Sequence, residues 1–223
     1  IWILWNPATI DVYIVDFYAQ YIHYKGNHYA SSQTFHFTMV YGSNDISDRL
    51  SLRSSFTQIS QEWIILGDCN VVRDISSRLS SFSPNLAGID DFNSCLTSCC
   101  LDDLTANRCE YTWTNNQDAN SRVWAKLDRA LANTSWASKF PATIADFLPA
   151  GVSDHSPIIV RILDDTVTPK KFTFLNCWTN HPSSPDLVKT AWNKHVTGTP
   201  MYQLFWKIKN VKISLKDLHK RNF

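Results

Sequence analysis

The chain has 223 residues, 44% hydrophobic and 18% charged, a composition that fits a folded globular protein and excludes a disordered one. The net charge of +1 hides an asymmetry: residues 199–223 carry six Lys/Arg and one acid, while the rest of the chain is net acidic. An acidic body suits a divalent cation better than tight nonspecific DNA binding, and no stretch approaches the twenty uncharged apolar residues of a membrane span.

Asp11 and Asp16 interrupt the apolar start, which lacks a basic leading region, so no secretory signal is expected and the expected location is nucleus or cytoplasm. Six cysteines follow no zinc or disulfide spacing and are expected as reduced thiols. Asn133-Thr134-Ser135 fits a glycosylation acceptor, a motif too short to mean much in a protein that is not secreted.

In chain order, Ile10 to Phe17 alternates as a strand does. Phe35, Phe37, Met39 and Tyr41 share one face of a second strand, with Thr34, His36, Thr38 and Val40 on the other. Asp45 to Ser60 predicts a helix capped by Asp45, with a rough stripe of Ile46, Leu50, Leu52 and Phe56. Trp63 to Leu66 is short and wholly apolar, the pattern of a strand buried on both faces. Ser76 to Ala87 reads as a loop, and Ile89, Phe92, Leu96 and Cys99 have helical spacing. Tyr111 to Trp113 and Arg122 to Leu127 predict two strands joined by a polar turn. Asp128 to Asn133 suggests a helical turn, and Ile144 to Leu148 and Ile158 to Ile162 two more strands.

The pattern changes after Asp165. Phe172-Thr173-Phe174 predicts one further strand, and prolines then lead into helix. Leu204, Ile208, Val211, Leu215 and Leu218 make an amphipathic stripe with a lysine-rich far side. This places a boundary near residue 166, with a domain over 1–165 and a helical connector over 166–223.

Two strings carry the chemistry. Gly67-Asp68-Cys69-Asn70 follows the apolar Trp63–Leu66 run, and Ser153-Asp154-His155-Ser156-Pro157 precedes Ile158-Ile159-Val160. A carboxylate at a strand end can orient a water, an amide can bond phosphate, and an imidazole can move a proton. Asp154 can hold a cation through oxygen. Each string alone also fits an ordinary turn whose side chains bond local backbone. No P-loop, dinucleotide fingerprint or nucleophile elbow is present.

The two strings resemble those of the endonuclease/exonuclease/phosphatase superfamily, where GD-x-N and SDH form two walls of one active site. Within it, Trp-Ile-Ile-Leu-Gly-Asp-Cys-Asn, Tyr-Thr-Trp-Thr-Asn-Asn and Val-Trp-Ala-Lys-Leu-Asp-Arg look like the endonuclease of plant non-LTR (LINE-type) retrotransposons. The resemblance covers about residues 1–163. Residues 172–223 look like the connector to a reverse transcriptase. It implies an α/β fold, a four-layer α/β/β/α sandwich of the DNase I-like type, with Mg²⁺ or Mn²⁺ as cofactor and DNA as substrate. It assigns catalysis to Asp68, Asn70, His155, Asp128 and Tyr41, metal binding to Asp154, and phosphate contact to Asn70 and Thr112. Asp128 orients His155 in this scheme.

Nothing upstream of Tyr41 matches the first-strand Asn and the metal-binding Glu of that family. A chain lacking its first strands, with weak or no activity, is the resulting expectation. Cys69 stands where the subgroup has Phe, for which a packing cost is expected. The competing readings are a non-catalytic remnant that binds nucleic acid or protein, and a phosphatase acting on a small phosphoester.

Overall fold

The computed structural model describes residues 1, 3–56, 61–118, 120–162, 174, 178–179 and 181–222. The chain divides into two compact units, Ile1–Lys170 and Lys171–Phe223. The expected boundary near 166, the expected strand residues Phe172 and Thr173, Cys177 and the last turn of the expected helix to Ser60 lie outside the described residues.

The first unit is a mixed α/β fold. Its strands are β1 (Ile10–Tyr18), β2 (Tyr21–His28), β3 (Gln33–Tyr41), β4 (Trp63–Asp68), β5 (Arg78–Leu79), β6 (Leu101–Asp103), β7 (Thr105–Arg108), β8 (Trp113–Thr114), β9 (Trp124–Ala125), β10 (Asp128–Asn133), β11 (Ile144–Phe147) and β12 (Ile158–Arg161). The helices are α1 (Ile46–Ser55), α2 (Leu86–Ser98) and α3 (Thr134–Lys139). Six strands form the main sheet in the order β1-β2-β3-β4-β10-β6, and two small sheets are ordered β12-β11-β7 and β5-β9-β8.

β4 sits inside the main sheet, parallel to β3 and antiparallel to β10. Its alternating side chains divide the core. Trp63 and Ile65 pack with Leu52, Phe92, Leu96 and Leu131 on the side of α1 and α2. Ile64 packs on the other side with Tyr24, Phe37 and Trp136. Small alanines then let two sheets meet, with Ala130 of β10 against Ala145 and Phe147 of β11 and with Leu66 and Val160 beside them.

The α1 cap is as expected, since Asp45 Oδ1 accepts the backbone N–H of Ser47 at 2.7 Å and of Asp48 at 3.3 Å. Its stripe is only partly buried: Leu52 is in the core and Leu50 is 46% exposed. Asn133 is buried and caps α3 through the Trp136 N–H, so that acceptor motif is part of the core.

Asp128 to Asn133 is a strand and not the expected helical turn. All six residues are buried between β4 and β6. An Ala/Leu run has no distinguishing period, and pairing on both edges overrides its helical propensity. β2 was not expected from the sequence, because Tyr, His, Lys and Gly26 interrupt any alternation. The strands expected at 111–113 and 122–127 shrink to the two-residue ladder β8–β9.

In the second unit α4 (Ser184–Trp192) and α5 (Pro200–Asn222) pack together, with Ala191, Leu215 and Leu218 buried. Among the described residues no helix is long and apolar enough to cross a membrane.

Candidate active site

Register brings the carboxylates together. On the antiparallel pair β4–β10, Asp128 lies directly opposite Asp68, and on the parallel pair β3–β4, Tyr41 lies beside Asp68. Residues opposite one another share a face of a sheet, so the three form a row across three strands. Both aspartates are buried, 7% and 6% exposed, while Tyr41 is 61% exposed at the open end of the row.

Two like charges opposite one another in a dry place oppose folding. Burial, and then the Asp128 charge, push the Asp68 carboxyl above the usual carboxylate range, although a backbone N–H from Asn70 and the charges of His155 and Arg49 oppose the shift. His155 relieves Asp128. Its Nδ1 lies 2.9 Å from Asp128 Oδ2. A carboxylate only accepts, so Nδ1 carries the hydrogen and Nε2 faces away from this bond. Burial alone would lower the His155 pKa, but the Asp128 hydrogen bond and the charges of Asp128, Asp68 and Asp154 outweigh it and raise it.

Asp68, Asp128 and His155 each place one ligand atom within 4.8 Å of the others. Carboxylate oxygens are what Mg²⁺ or Mn²⁺ takes, and an excess of buried negative charge is what such a cation neutralises. The donor set therefore fits a divalent cation.

Gly67 sets the angle of this strand end. Its φ is +125°, and a Cβ there would meet the Val40 carbonyl oxygen at 2.2 Å. Asn70 then adopts φ +52°, a conformation Asn tolerates better than most residues. Its backbone N–H donates to Asp68 Oδ1 at 2.8 Å, and its amide Nδ2 donates to the Gly42 carbonyl at 2.9 Å. Asn70 thus fastens the Asp68 loop to the end of β3. Cys69 is buried in the helix-side core, and burial pushes its thiol up to about 12, so it is inert packing.

Thr112 is 1% exposed. Its Oγ1 accepts the backbone N–H of Asp128 at 2.9 Å and of Leu127 at 3.1 Å. It is turned inward and holds the start of β10, which leaves no solvent-facing hydroxyl for the phosphate contact implied by the resemblance. Asp154 lies next to His155 in the chain but outside the cluster of Asp68, Asp128 and His155. It is exposed, and its Oδ2 accepts Trp113 Nε1 at 3.2 Å. Trp113 also bridges to His155 through the backbone, and the rings lie 6.4 Å apart. Trp113 is half-buried and packs against Val72, Ile89, Ala125 and Leu127. Its role as a clamp on Asp154 depends on β8 meeting the 153–156 loop, a contact with no local signal.

A comparison with protein-family models gives no match, and a comparison with curated proteins gives none. Solved structures do resemble the chain. They include a mannosyl-6-phosphatase of Bacteroides thetaiotaomicron at 14% identity and TM-score 0.44, over 72% of this chain and 69% of that one. TDP2 of D. rerio, complexed with single-strand DNA product, aligns at 15% identity and TM-score 0.41 over 68% and 67%. The beta toxin of Staphylococcus aureus aligns at 14% identity and TM-score 0.40, over 64% of this chain and 56% of the toxin. The chain thus spans little more than half of the toxin's length.

Proposed function

We propose that the first unit is a metal-assisted phosphodiester hydrolase acting on DNA, of the retrotransposon endonuclease type. The observation that supports this reading is the cluster of Asp68, Asp128 and His155, two buried carboxylates and a half-buried, oriented imidazole within 4.8 Å. Asp68 orients the attacking water. His155, held by Asp128, presents Nε2 to hold or transfer a proton at a phosphoryl oxygen. Tyr41, exposed at the end of the same row, steadies another oxygen. Asn70 keeps the Asp68 loop in place. Asp68 and Asp128, with Asp154, would hold Mg²⁺ or Mn²⁺, which would supply charge neutralisation at the phosphate.

In this reading the second unit is the connector toward a reverse transcriptase partner, and the location is nuclear or cytoplasmic. The test compares supercoiled plasmid with small phosphoesters, nucleotides and inositol phosphates, as substrates of the full chain with Mg²⁺. Nicking without phosphate release supports the nuclease. Phosphate release without nicking replaces it with a phosphatase, and neither activity leaves a binding remnant.

A further inference from the structure

The lysine-rich helix α5 belongs to the second unit. Helical geometry sorts α5 into two faces. Leu215 and Leu218 are buried on one, with Val211 half-buried beside them. The opposite face carries Tyr202, Trp206, Lys209, Lys216 and Lys220, spaced four, three, seven and four apart, with Phe205 at its edge. Tyr202 is 51% exposed and Phe205 58%, and the three lysines are exposed. The aromatic rings are clustered: Tyr202 and Phe205 stand 6.2 and 5.9 Å from Trp206. Lys209 Nζ lies 4.2 Å from the centre of the Trp206 ring.

An exposed aromatic cluster is costly in water unless something flat and apolar covers it. The neighbouring lysines state the charge of that partner. Beside Tyr202 and Trp206 lies an open pocket of about 370 Å³, whose rim adds the polar groups of His195, Thr197 and Asn210. A flat ring stacked on the aromatic wall can meet those donors and acceptors at its edge. The lysines continue along the helix from Lys209 to Lys220, about 16 Å at the helical rise, as a track for successive anionic groups.

We propose that this face of α5 binds single-stranded nucleic acid, with bases stacked on Tyr202, Phe205 and Trp206 and phosphates along Lys209, Lys216 and Lys220. Stacking on exposed rings tolerates any base, and the lysines contribute counterion release. The binding is therefore nonspecific and salt-dependent. It needs nothing from the Asp68 cluster and stands whether or not that site cuts.

The test is fluorescence anisotropy of a labelled oligo(dT) with the full chain, in EDTA, at several salt concentrations. Three lysine–phosphate contacts give a slope of log affinity against log salt of roughly −2. Tyr202→Ala and Phe205→Ala each weaken binding roughly fivefold or more. Lys209→Ala with Lys216→Ala brings the slope close to −1. All these residues except Trp206 are exposed, so circular dichroism of the variants should match the parent. Lys25→Ala, at an exposed position of β2 in the first unit, should bind as the parent does. The proposal is overturned if the chain does not bind the oligonucleotide. It is also overturned if the α5 variants bind as tightly as the parent, if binding falls with Lys25→Ala instead, or if phosphatidylglycerol vesicles are bound and the oligonucleotide is not.

Discussion

The Nδ1 of His155 and the Oδ2 of Asp128 lie 2.9 Å apart, a contact that joins the loop before β12 to the first residue of β10. The same aspartate faces Asp68 across the sheet. One carboxylate thus serves as the orienter of an imidazole and as the neighbour of a second carboxylate.

Removing that imidazole tests the pairing. His155→Ala should lower phosphodiester cleavage by about 10²–10⁴-fold, the usual contribution of a positioned acid or base. His155 also relieves the buried Asp128 carboxylate, so the thermal midpoint should fall too, and cleavage is compared at a temperature where the variant is folded. Asp128→Asn should lower cleavage as well, because an amide no longer selects the same imidazole tautomer.

In the proposed site Trp113 is a positioning residue acting through Asp154. Trp113→Phe keeps the ring and deletes the indole N–H that holds Oδ2. Partners of ligating groups of this kind carry about 10–100-fold in metal affinity. Titration with Mn²⁺ should show weaker binding, by up to that factor, with the thermal midpoint nearly unchanged. Unaltered Mn²⁺ affinity would remove Asp154 from the cation site.

Gly67→Ala should be strongly destabilising. The methyl would overlap the Val40 carbonyl at 2.2 Å, in a backbone conformation at φ +125° that only glycine takes easily. Overlap and backbone strain together should cost on the order of 2–5 kcal/mol. Urea denaturation measures it, and a loss under about 1 kcal/mol would show that β3 yields.

A buried histidine, His23, paired with the half-buried His36, makes stability depend on pH. His23 Nδ1 lies 2.7 Å from Thr38 Oγ1, which also accepts Trp63 Nε1 at 2.8 Å, and His23 Nε2 lies 3.1 Å from His36 Nδ1. Burial, then the neighbouring His36, push the His23 pKa down to about 4, against a weaker upward pull from Asp16. The folded pKa lies below the unfolded value near 6.5, so the unfolded chain binds the extra proton between these limits. Stability should be full above about pH 6.5 and fall as pH drops toward 4, by on the order of 1–2 kcal/mol. Denaturant midpoints across that window should show the slope, and His23→Gln should flatten it. His36, also lowered by burial and by Lys25, should contribute part of the residual slope.

Much of the site was legible because its residues sit at the ends of strands with strong local signals. The apolar run Trp63–Leu66 marks β4, and Ile158–Val160 marks β12, so Asp68 and His155 could be placed at strand ends from the chain alone. Their meeting with Asp128 could not be derived from periodicity. It depends on the β4–β10 register, and β10 itself reads locally as helix because Ala130, Leu131 and Ala132 favour one. Asp154 and Thr112 show the same limit. Which way a strand-end or loop side chain turns is decided by partners far along the chain, Trp113 for one and the Asp128 backbone for the other. β2 was hidden because both of its sheet neighbours supply the order that its own mixed residues do not.

The most direct measurement is the rate of Mg²⁺-dependent plasmid nicking by the chain and by its Asp68→Asn variant, both confirmed as folded. The expected result is slow conversion of supercoiled to open-circular plasmid by the parent, in keeping with the weak activity expected without the metal-binding Glu, lost in EDTA and reduced by at least about a hundredfold in the variant. A parent that leaves the plasmid supercoiled, or a variant that nicks at the parent's rate, would contradict the assignment of Asp68, Asp128 and His155 as a phosphodiester-cleaving site.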